Sequence, residues 1–393
     1  MPAPPRLPLF APCAPGLEHH VSGELVALGI RRTHLRHGGV SFEGTTRQLY
    51  AANMWLRTAT RVVVRMGRFE ARSFPDLERE LRQVPWATWL DPDIPVRLRV
   101  TSTGSQLYHR GAIAERVLRV LGNPDAALVD EAAPADRPDP DADEDDVDEG
   151  DEQLIIIRVV HDQFTISMDS SGAPLYQRGW RRQTAKAPLR ETMAAALLLA
   201  SGWDGTTPLI DPMCGSGTIA IEAALLARGI PPGHQRDFGF VRWPSFEPGT
   251  WASVAGEASR ALDGAAVRSV PALVLRDRDA GAIKAARANA ERAGVLDDLD
   301  LGVDAISSLT RPTGAAPGWI ITNPPYGARV KGGADLRDLY ARTGDILRDQ
   351  FPGWSAGLLV ADRALANQAK LDWTVRLRTS NGGIPVELLT AVI

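Results

Sequence analysis

Four residues, Asn323-Pro324-Pro325-Tyr326, have types and spacing that could do chemistry. They follow a short apolar run, Trp319-Ile320-Ile321-Thr322, whose pattern predicts a buried strand. A strand that ends this way leaves a carboxamide and a carbonyl at a sheet edge, within reach of a ligand. The two prolines fix φ and remove two backbone donors, so nearby carbonyls are left to accept. An exocyclic amine on a planar ring needs such acceptors. Its lone pair is delocalised into the ring, and two hydrogen bonds from its N–H groups localise it for attack. Tyr326 offers a ring to stack on the base. A proline-rich turn after a strand is the plain alternative, because four residues are a short motif. A second motif upstream, Asp211-Pro-Met-Cys-Gly-Ser-Gly-Thr218, tells against it.

Three acidic residues fall at the ends of expected strands: Asp211, Asp277 and Asp304. Gly215 and Gly217 let backbone approach a ligand closely before a helix that opens at Thr218. The loop amides and the helix N-terminus favour a carboxylate. Asp211 can face a cationic amino group, Asp277 can accept from two ribose hydroxyls, and Asp304, next to Ala305, can accept from an adenine amino group. A ligand carrying all three parts is S-adenosylmethionine. The pattern is neither the dinucleotide fingerprint nor a phosphate-binding P-loop. Taken singly, Asp277 and Asp304 read as ordinary cap or turn residues. Cys214 reads as a small residue in a tight turn, since no histidine is placed to make it a nucleophile.

Alternating strand-then-helix segments must position these residues. From about residue 189 the order is helix 189–199, strand 209–210, helix 218–228, strand 272–275, helix 279–293, strand 319–322, helix 336–350 and strand 356–360. A terminal hairpin is expected over 373–377 and 386–392. This order predicts a doubly wound α/β sheet with ligands beyond the strands' carboxyl ends. The first 170 residues alternate in smaller units, an α+β arrangement. There, helix 111–122 puts Arg110, Arg116 and Arg119 largely on one face. They read either as a solvated face or as phosphate contacts. Residues 170–187 are polar and Arg-rich, with Arg178 and Arg181, and read as a linker.

The chain has 393 residues, too many for one core. Its net charge of −4 is misleading. Ten acidic residues lie within 139–152, and without them 44 basic residues face 38 acidic ones. A mildly basic body tolerates a polyanion. Residues 124–153 are too polar and acidic to bury a core and are expected to be disordered. Two cysteines in unlike contexts suggest a reducing compartment rather than a disulfide framework. The seven histidines show no ligand spacing, so no metal is expected. No apolar stretch is long enough to span a bilayer, and the amino terminus lacks a signal-peptide core, so a cytoplasmic protein is expected.

Arg178-Gly-Trp-Arg, Ala187-Pro-Leu-Arg-Glu-Thr192, the motif from Asp211 to Thr218 and Asn323-Pro-Pro-Tyr-Gly327 together resemble the THUMP-domain guanine-N2 RNA methyltransferases. Within them the chain is most similar to the large-subunit rRNA enzyme. The opening resembles it too, at Leu9-Phe-Ala, Gly38-Gly-Val-Ser-Phe42 and Ala52-Asn-Met-Trp-Leu-Arg57. The resemblance implies a ferredoxin-like part over 1–55 and a THUMP RNA-binding domain over 56–170. It also implies a class I, Rossmann-like methyltransferase domain over 188–393, after a linker at 171–187. By position it implies cofactor contacts at Asp211, Cys214, Gly215, Gly217, Thr218, Asp277, Asp304, Ala305 and Asn323, and a catalytic loop at Asn323 to Tyr326. Arg110, Arg116, Arg119, Arg178 and Arg181 are expected to contact RNA. Two departures stand out: Leu275-Arg276 precede Asp277 where a glycine is usual, and Ala328 stands where an acid is common. The same loop could serve a tRNA guanine, adenine N6 or a protein amide nitrogen, and a non-catalytic RNA-binding factor could keep the fold.

Overall fold

β-Branched and aliphatic runs broken by glycine, proline and aspartate divide the chain into fifteen strands and eleven α-helices among the described residues. The computed structural model describes residues 5–122, 129–130, 152–182, 189–312, 314–325 and 333–393. Tyr326, Ala328 and most of the acidic stretch expected to be disordered lie outside the described residues.

The first sheet takes β1 (Leu7–Pro12), β2 (Thr33–Arg36), β3 (Gly39–Gly44), β4 (Val63–Glu70), β5 (Val96–Thr103), β6 (Val129–Asp130), β7 (Gln153–Val160) and β8 (Gln163–Asp169). Their order is β2-β3-β1-β4-β8-β7-β5-β6. It therefore draws strands from both sides of residue 55. β7 and β8 form the expected hairpin, turning at His161 and Asp162 with φ of 49° and 64°. Between these strands run α1 (Glu18–Ala27), α2 (Thr46–Trp55), α3 (Phe74–Leu81), α4 (Trp86–Trp89) and α5 (Arg110–Leu121). Thr45 and Gln48 form a capping box at α2, and the Ser73 side chain accepts from the Asp76 amide at α3. Gly122, at φ 75°, closes α5.

The second sheet takes β9 (Leu209–Asp211), β10 (Leu273–Asp277), β11 (Leu299–Val303), β12 (Trp319–Thr322), β13 (Ser355–Val360), β14 (Thr374–Asn381) and β15 (Ile384–Val392). Its helices are α6 (Glu191–Ser201), α7 (Thr218–Arg228), α9 (Ala280–Arg292), α10 (Gly333–Gln350) and α11 (Arg363–Asn367), while α8 (Pro248–Ala266) has its first residues in the first of the two compact units given below and the rest in the second. The strand order is β11-β10-β9-β12-β13-β15-β14. The first five strands are parallel, and β15 and β14 are antiparallel additions. This is the expected doubly wound α/β sheet. Its central strands are apolar on both faces because helices cover both: Leu209, Ile210, Ile320 and Ile321 are fully buried. The order reverses between β9 and β12, and such a point opens a crevice beyond the carboxyl ends.

The chain forms two compact units, one of residues 1–14, 21–175 and 237–255, the other of 15–20, 176–236 and 256–393. The expected linker is packed where it is described. Trp180 is fully buried and Arg178 is 2% exposed, both within the second unit. No helix of the described residues is long and apolar enough to cross a membrane.

Candidate active site

Asp211 is the last residue of β9, and Asn323 follows the last residue of its neighbour β12. The glycine loop and the Asn-Pro-Pro segment therefore leave adjacent strands at one edge of the sheet. Thr322 joins them: its hydroxyl donates to Asp211 Oδ1 at 2.7 Å, with both residues buried. The Met213 amide donates to the same oxygen at 3.3 Å. Burial pushes the Asp211 carboxyl up to about 7, although Thr322 and Met213 pull against that shift; the charge of Asp277 adds to the push.

The glycine loop needs its glycines for two reasons. Gly215 (φ 53°) and Gly217 (φ 84°) adopt left-handed backbone that side chains disfavour. A Cβ on Gly217 would also lie 3.0 Å from the Ala286 methyl, so the helix opening at Thr218 packs closely on α9. Around Gly215 the space is open: a Cβ there would meet no atom within 4 Å. That leaves room for a ligand over the backbone.

Asp277 ends β10. Its Oδ2 accepts from the Gly215 amide at 2.9 Å and its Oδ1 from the Asp279 amide at 2.9 Å. A carboxylate has about four lone-pair sites, so capacity remains for hydroxyl donors. Asp279 is the N-cap of α9, its side chain accepting from the Gly281 amide. Asp304 follows β11, and its amide donates to the Asp277 carbonyl at 3.0 Å. Its carboxylate lies 3.1 Å from Arg276 Nε. Arg276 also pairs with Asp300 at 2.8 Å and donates to the Asp300 carbonyl at 2.7 Å. The arginine that stands before Asp277 is thus a clamp between β10 and β11. Ala305 follows and begins a short 3-10 turn. Cys214 is buried, and burial raises its thiol well above the usual range, so it is no nucleophile.

Asn323 carries the most informative feature. Its Oδ1 is buried and has no hydrogen-bond partner among the described residues. Such an atom costs about 1–3 kcal/mol unless something donates to it. Pro324 is buried beside it and Pro325 is exposed. The acceptors Asn323 Oδ1 and Asp277 fit a ligand with an exocyclic amine on one side and a ribose on the other. Asn323, Asp277 and the open glycine loop are grouped, whereas Asp304 is turned to Arg276.

The arginines expected to contact RNA are placed differently. Arg178 lies 3.3 Å from Glu222 with both side chains at most 2% exposed. Arg181 lies 3.0 Å from Glu191 and donates to the Thr218 hydroxyl at 2.8 Å. Neither can reach a phosphate, because each is consumed by a buried carboxylate. Arg116 and Arg119 pair with Glu78 at 3.0 and 3.7 Å, and Arg119 also with Glu115 at 2.7 Å. That face is an ion-pair network between α3 and α5. Arg110, at the start of α5, is half-buried.

Sequence reasoning missed Thr322, Arg276 as a clamp, and Asn289. Asn289 is fully buried, donates to the Ser216 carbonyl at 3.2 Å and accepts from Arg292. Arg292 in turn donates to the Trp180 carbonyl at 2.8 Å. A buried asparagine inside an otherwise alanine-rich helical stripe was the available signal. Among the described residues no group of three metal-ligating side chains occurs.

Comparison with known proteins agrees with this geometry. A Synechocystis protein named "Putative RNA methyltransferase slr0064" is 32% identical over 97% of this chain and 96% of its own length. The solved structure of SMU.472 complexed with S-adenosylhomocysteine superposes with a TM-score of 0.81 at 28% identity, covering 98% of both chains. A Listeria monocytogenes protein described as a "predicted N6-adenine-specific DNA methylase" superposes with a TM-score of 0.80 at 29% identity, over 98% of this chain and 96% of that one. Residues 8–63 match the family described as the RlmL ferredoxin-like domain. Residues 178–389, which hold the whole glycine loop, the strand-end acids and Asn323, match the RMKL-like methyltransferase domain, and on that match the chain belongs to the UPF0020 family of methyltransferases.

Proposed function

We propose that the protein methylates the exocyclic N2 of a guanosine in RNA, with large-subunit (23S) rRNA as the foremost substrate. The observation that carries this reading is Asn323 Oδ1, a buried acceptor without a donor at the crevice between β9 and β12. An exocyclic amine supplies the missing donor. The family, the RNA named for the Synechocystis relative and the mildly basic composition outside the acidic stretch support an RNA substrate.

The methyl donor is S-adenosylmethionine, which brings a methyl carbon already activated by a sulfonium. Asp277 would hold the ribose hydroxyls, and the open backbone at Gly215 would face the amino-acid end. Asp304 would take the adenine amino group by giving up part of its contact with Arg276. Cys214, Thr218 and Ala305 would line the cofactor's bed through backbone. Asn323 Oδ1 and the Pro324 carbonyl would accept from the two amine protons and turn its lone pair toward the methyl carbon. Alignment supplies most of the acceleration. No strong base is needed, because the amine becomes acidic once methylated. Tyr326 would stack on the base, which has to be splayed out of any helix to enter. The strands from β4 to β8, with α3 and α5, we read as the THUMP part.

The description of the Listeria relative favours a second reading, adenine N6 in DNA. Transfer of labelled methyl groups to 23S rRNA, tRNA and DNA separates the two. N2-methylguanosine in digested 23S rRNA is the expected product. Label appearing only as N6-methyladenine in DNA would overturn the first reading in favour of the second.

A further inference from the structure

Four arginines of the first sheet, Arg36, Arg65, Arg68 and Arg158, share one face and pair with no carboxylate among the described residues. The register fixes the face. Arg65 stands opposite Ser167 and Arg68 opposite Thr165, with a bulge between the two arginines. Thr165 stands opposite Arg158 on β7. Ser167 and Thr165 are two residues apart and point the same way. On the other side, Arg36 stands opposite Gly39, and Gly39 opposite Pro12. Phe10, two residues before Pro12, lies across Gly39, where a Cβ would come within 2.4 Å of its ring. The Arg65 guanidinium sits 4.4 Å above that same ring. The opposite face is the apolar one, with Leu9, Val64, Ile157 and Ile166 buried.

Like charges crowd one another here. Burial first, and then Arg158, Arg68 and Arg36, hold the Arg65 guanidinium below its usual range. Arg36, Arg68 and Arg158 are exposed. From β2 to β7 the four arginines cross five strand spacings, roughly 24 Å. The acids of this face are at its margins: Glu43 on β3, Asp169 at the end of β8, buried against Arg61 at 3.0 Å, and Glu70, which Arg72 holds at 2.9 Å. Beyond the arginines on the other side, Arg97 meets Glu152 at 3.6 Å. An arginine field with an aromatic floor is complementary to a run of phosphates, which guanidinium forks bind in a geometry that reads no sequence.

We infer that this face of the first sheet docks the sugar–phosphate backbone of the RNA substrate. The inference rests on the RNA reading above and adds a surface to it. RNA affinity should depend on salt through these contacts. Four phosphates of a single strand contribute about 3 to the slope of log K against log salt.

The test compares the wild type with Arg36→Gln/Arg65→Gln/Arg68→Gln/Arg158→Gln, using 23S rRNA fragments over a series of salt concentrations. The variant should bind at least tenfold more weakly, with the slope reduced by about 3. Its kcat at saturating RNA and its S-adenosylmethionine Kd should be unchanged. A triple variant that keeps half-buried Arg65 guards against misfolding and should lose about 2 from the slope. Replacing exposed Arg260, Arg287, Arg342 and Arg363 by glutamine removes equal charge and should leave the slope alone. A wild-type slope in the folded triple variant overturns the surface while leaving the RNA reading intact. Absence of RNA binding by the wild type overturns both.

Discussion

Asn323 and Asp211 are neighbours with opposite electrostatic problems. Asn323 Oδ1 is an acceptor that no group among the described residues fills, so Asn323→Ala breaks no bond at that oxygen there. We expect it to lower kcat by on the order of 10²–10³, the usual cost of deleting one preorganised polar group, while cofactor Kd changes less than about twofold. Calorimetric titration beside single-turnover transfer checks this, and a large loss of cofactor binding would reverse the assignment. Asp211 instead carries a carboxyl that burial lifts from 3.8 to about 7. A raised acid contributes stability that is complete below the unfolded value and is lost as pH rises through the folded one. The wild type should therefore weaken between about pH 4 and pH 7 relative to Asp211→Asn. By pH 8 the variant should be the more stable, by on the order of 2–4 kcal/mol. Urea melts across that range measure the gap, and a gap that does not change with pH would show that Asp211 keeps its ordinary ionisation. The acids at strand ends were legible because an apolar run before an aspartate marks both the strand and its end. The fate of Arg178 and Arg181 was not. A guanidinium suits a phosphate and a buried carboxylate equally, and only tertiary packing chooses between them.

Elements matter through what they hold still. The glycine loop is bound from three directions: Asp277 of β10 takes the Gly215 amide, the Arg276 carbonyl takes the Cys214 amide, and Asn289 of α9 takes the Ser216 carbonyl. Arg181 grips the start of α7 through Thr218. The Arg-Gly-Trp stretch thus belongs to the loop's support, with Arg292 linking the Trp180 carbonyl to Asn289. Asn289→Ala should loosen the loop without touching the acceptor at Asn323. The bonds to the Ser216 carbonyl and from Arg292 are both lost. At about 0.5–1.5 kcal/mol for each, cofactor Kd should rise at least about fivefold at nearly constant kcat. Steady-state kinetics at varied cofactor read that split, and an equal fall in kcat would place Asn289 in the transition state instead. Strands and helices around the site were legible because period and caps agree locally: α7 begins and ends where its pattern does, at Thr218 and Arg228. β4 is not legible as one run to Glu70, because the bulge between Arg65 and Gly67 shifts its period midway. α8 was missed because its glycines, alanines and serines carry a weak apolar stripe.

At the scale of the whole molecule the chain does not respect sequence order. Residues 237–255 lie within the first unit although β9 to β15 flank them in sequence. No local pattern announces this, since an aromatic segment looks the same whichever core it joins. In the first unit Phe240 is fully buried and stacks on Tyr50 with ring centroids 4.2 Å apart. Trp243 meets Trp89 edge-on at 4.9 Å, and the Phe240 amide donates to the Ser170 carbonyl at 3.0 Å. Gly239 and Gly172 touch so closely that a Cβ on Gly239 would lie 3.0 Å from the Gly172 nitrogen. Phe238, Phe240 and Trp243 are all nearly or fully buried. At about 1.5–3 kcal/mol for each large apolar side chain, they contribute on the order of 5–9 kcal/mol. That is comparable to the entire stability of a typical domain. A fragment ending at Leu175 should therefore fail to fold cooperatively, although it contains every strand of the first sheet. Joining residues 237–255 to its end through a flexible linker should restore a sharp thermal transition and suppress binding of a hydrophobic dye. A sharp transition in the bare fragment would mean that the aromatic segment only decorates a core complete without it. The expected outcome has a consequence for synthesis. The first unit could then not finish folding until residue 255 had left the ribosome, well after its last sheet strand.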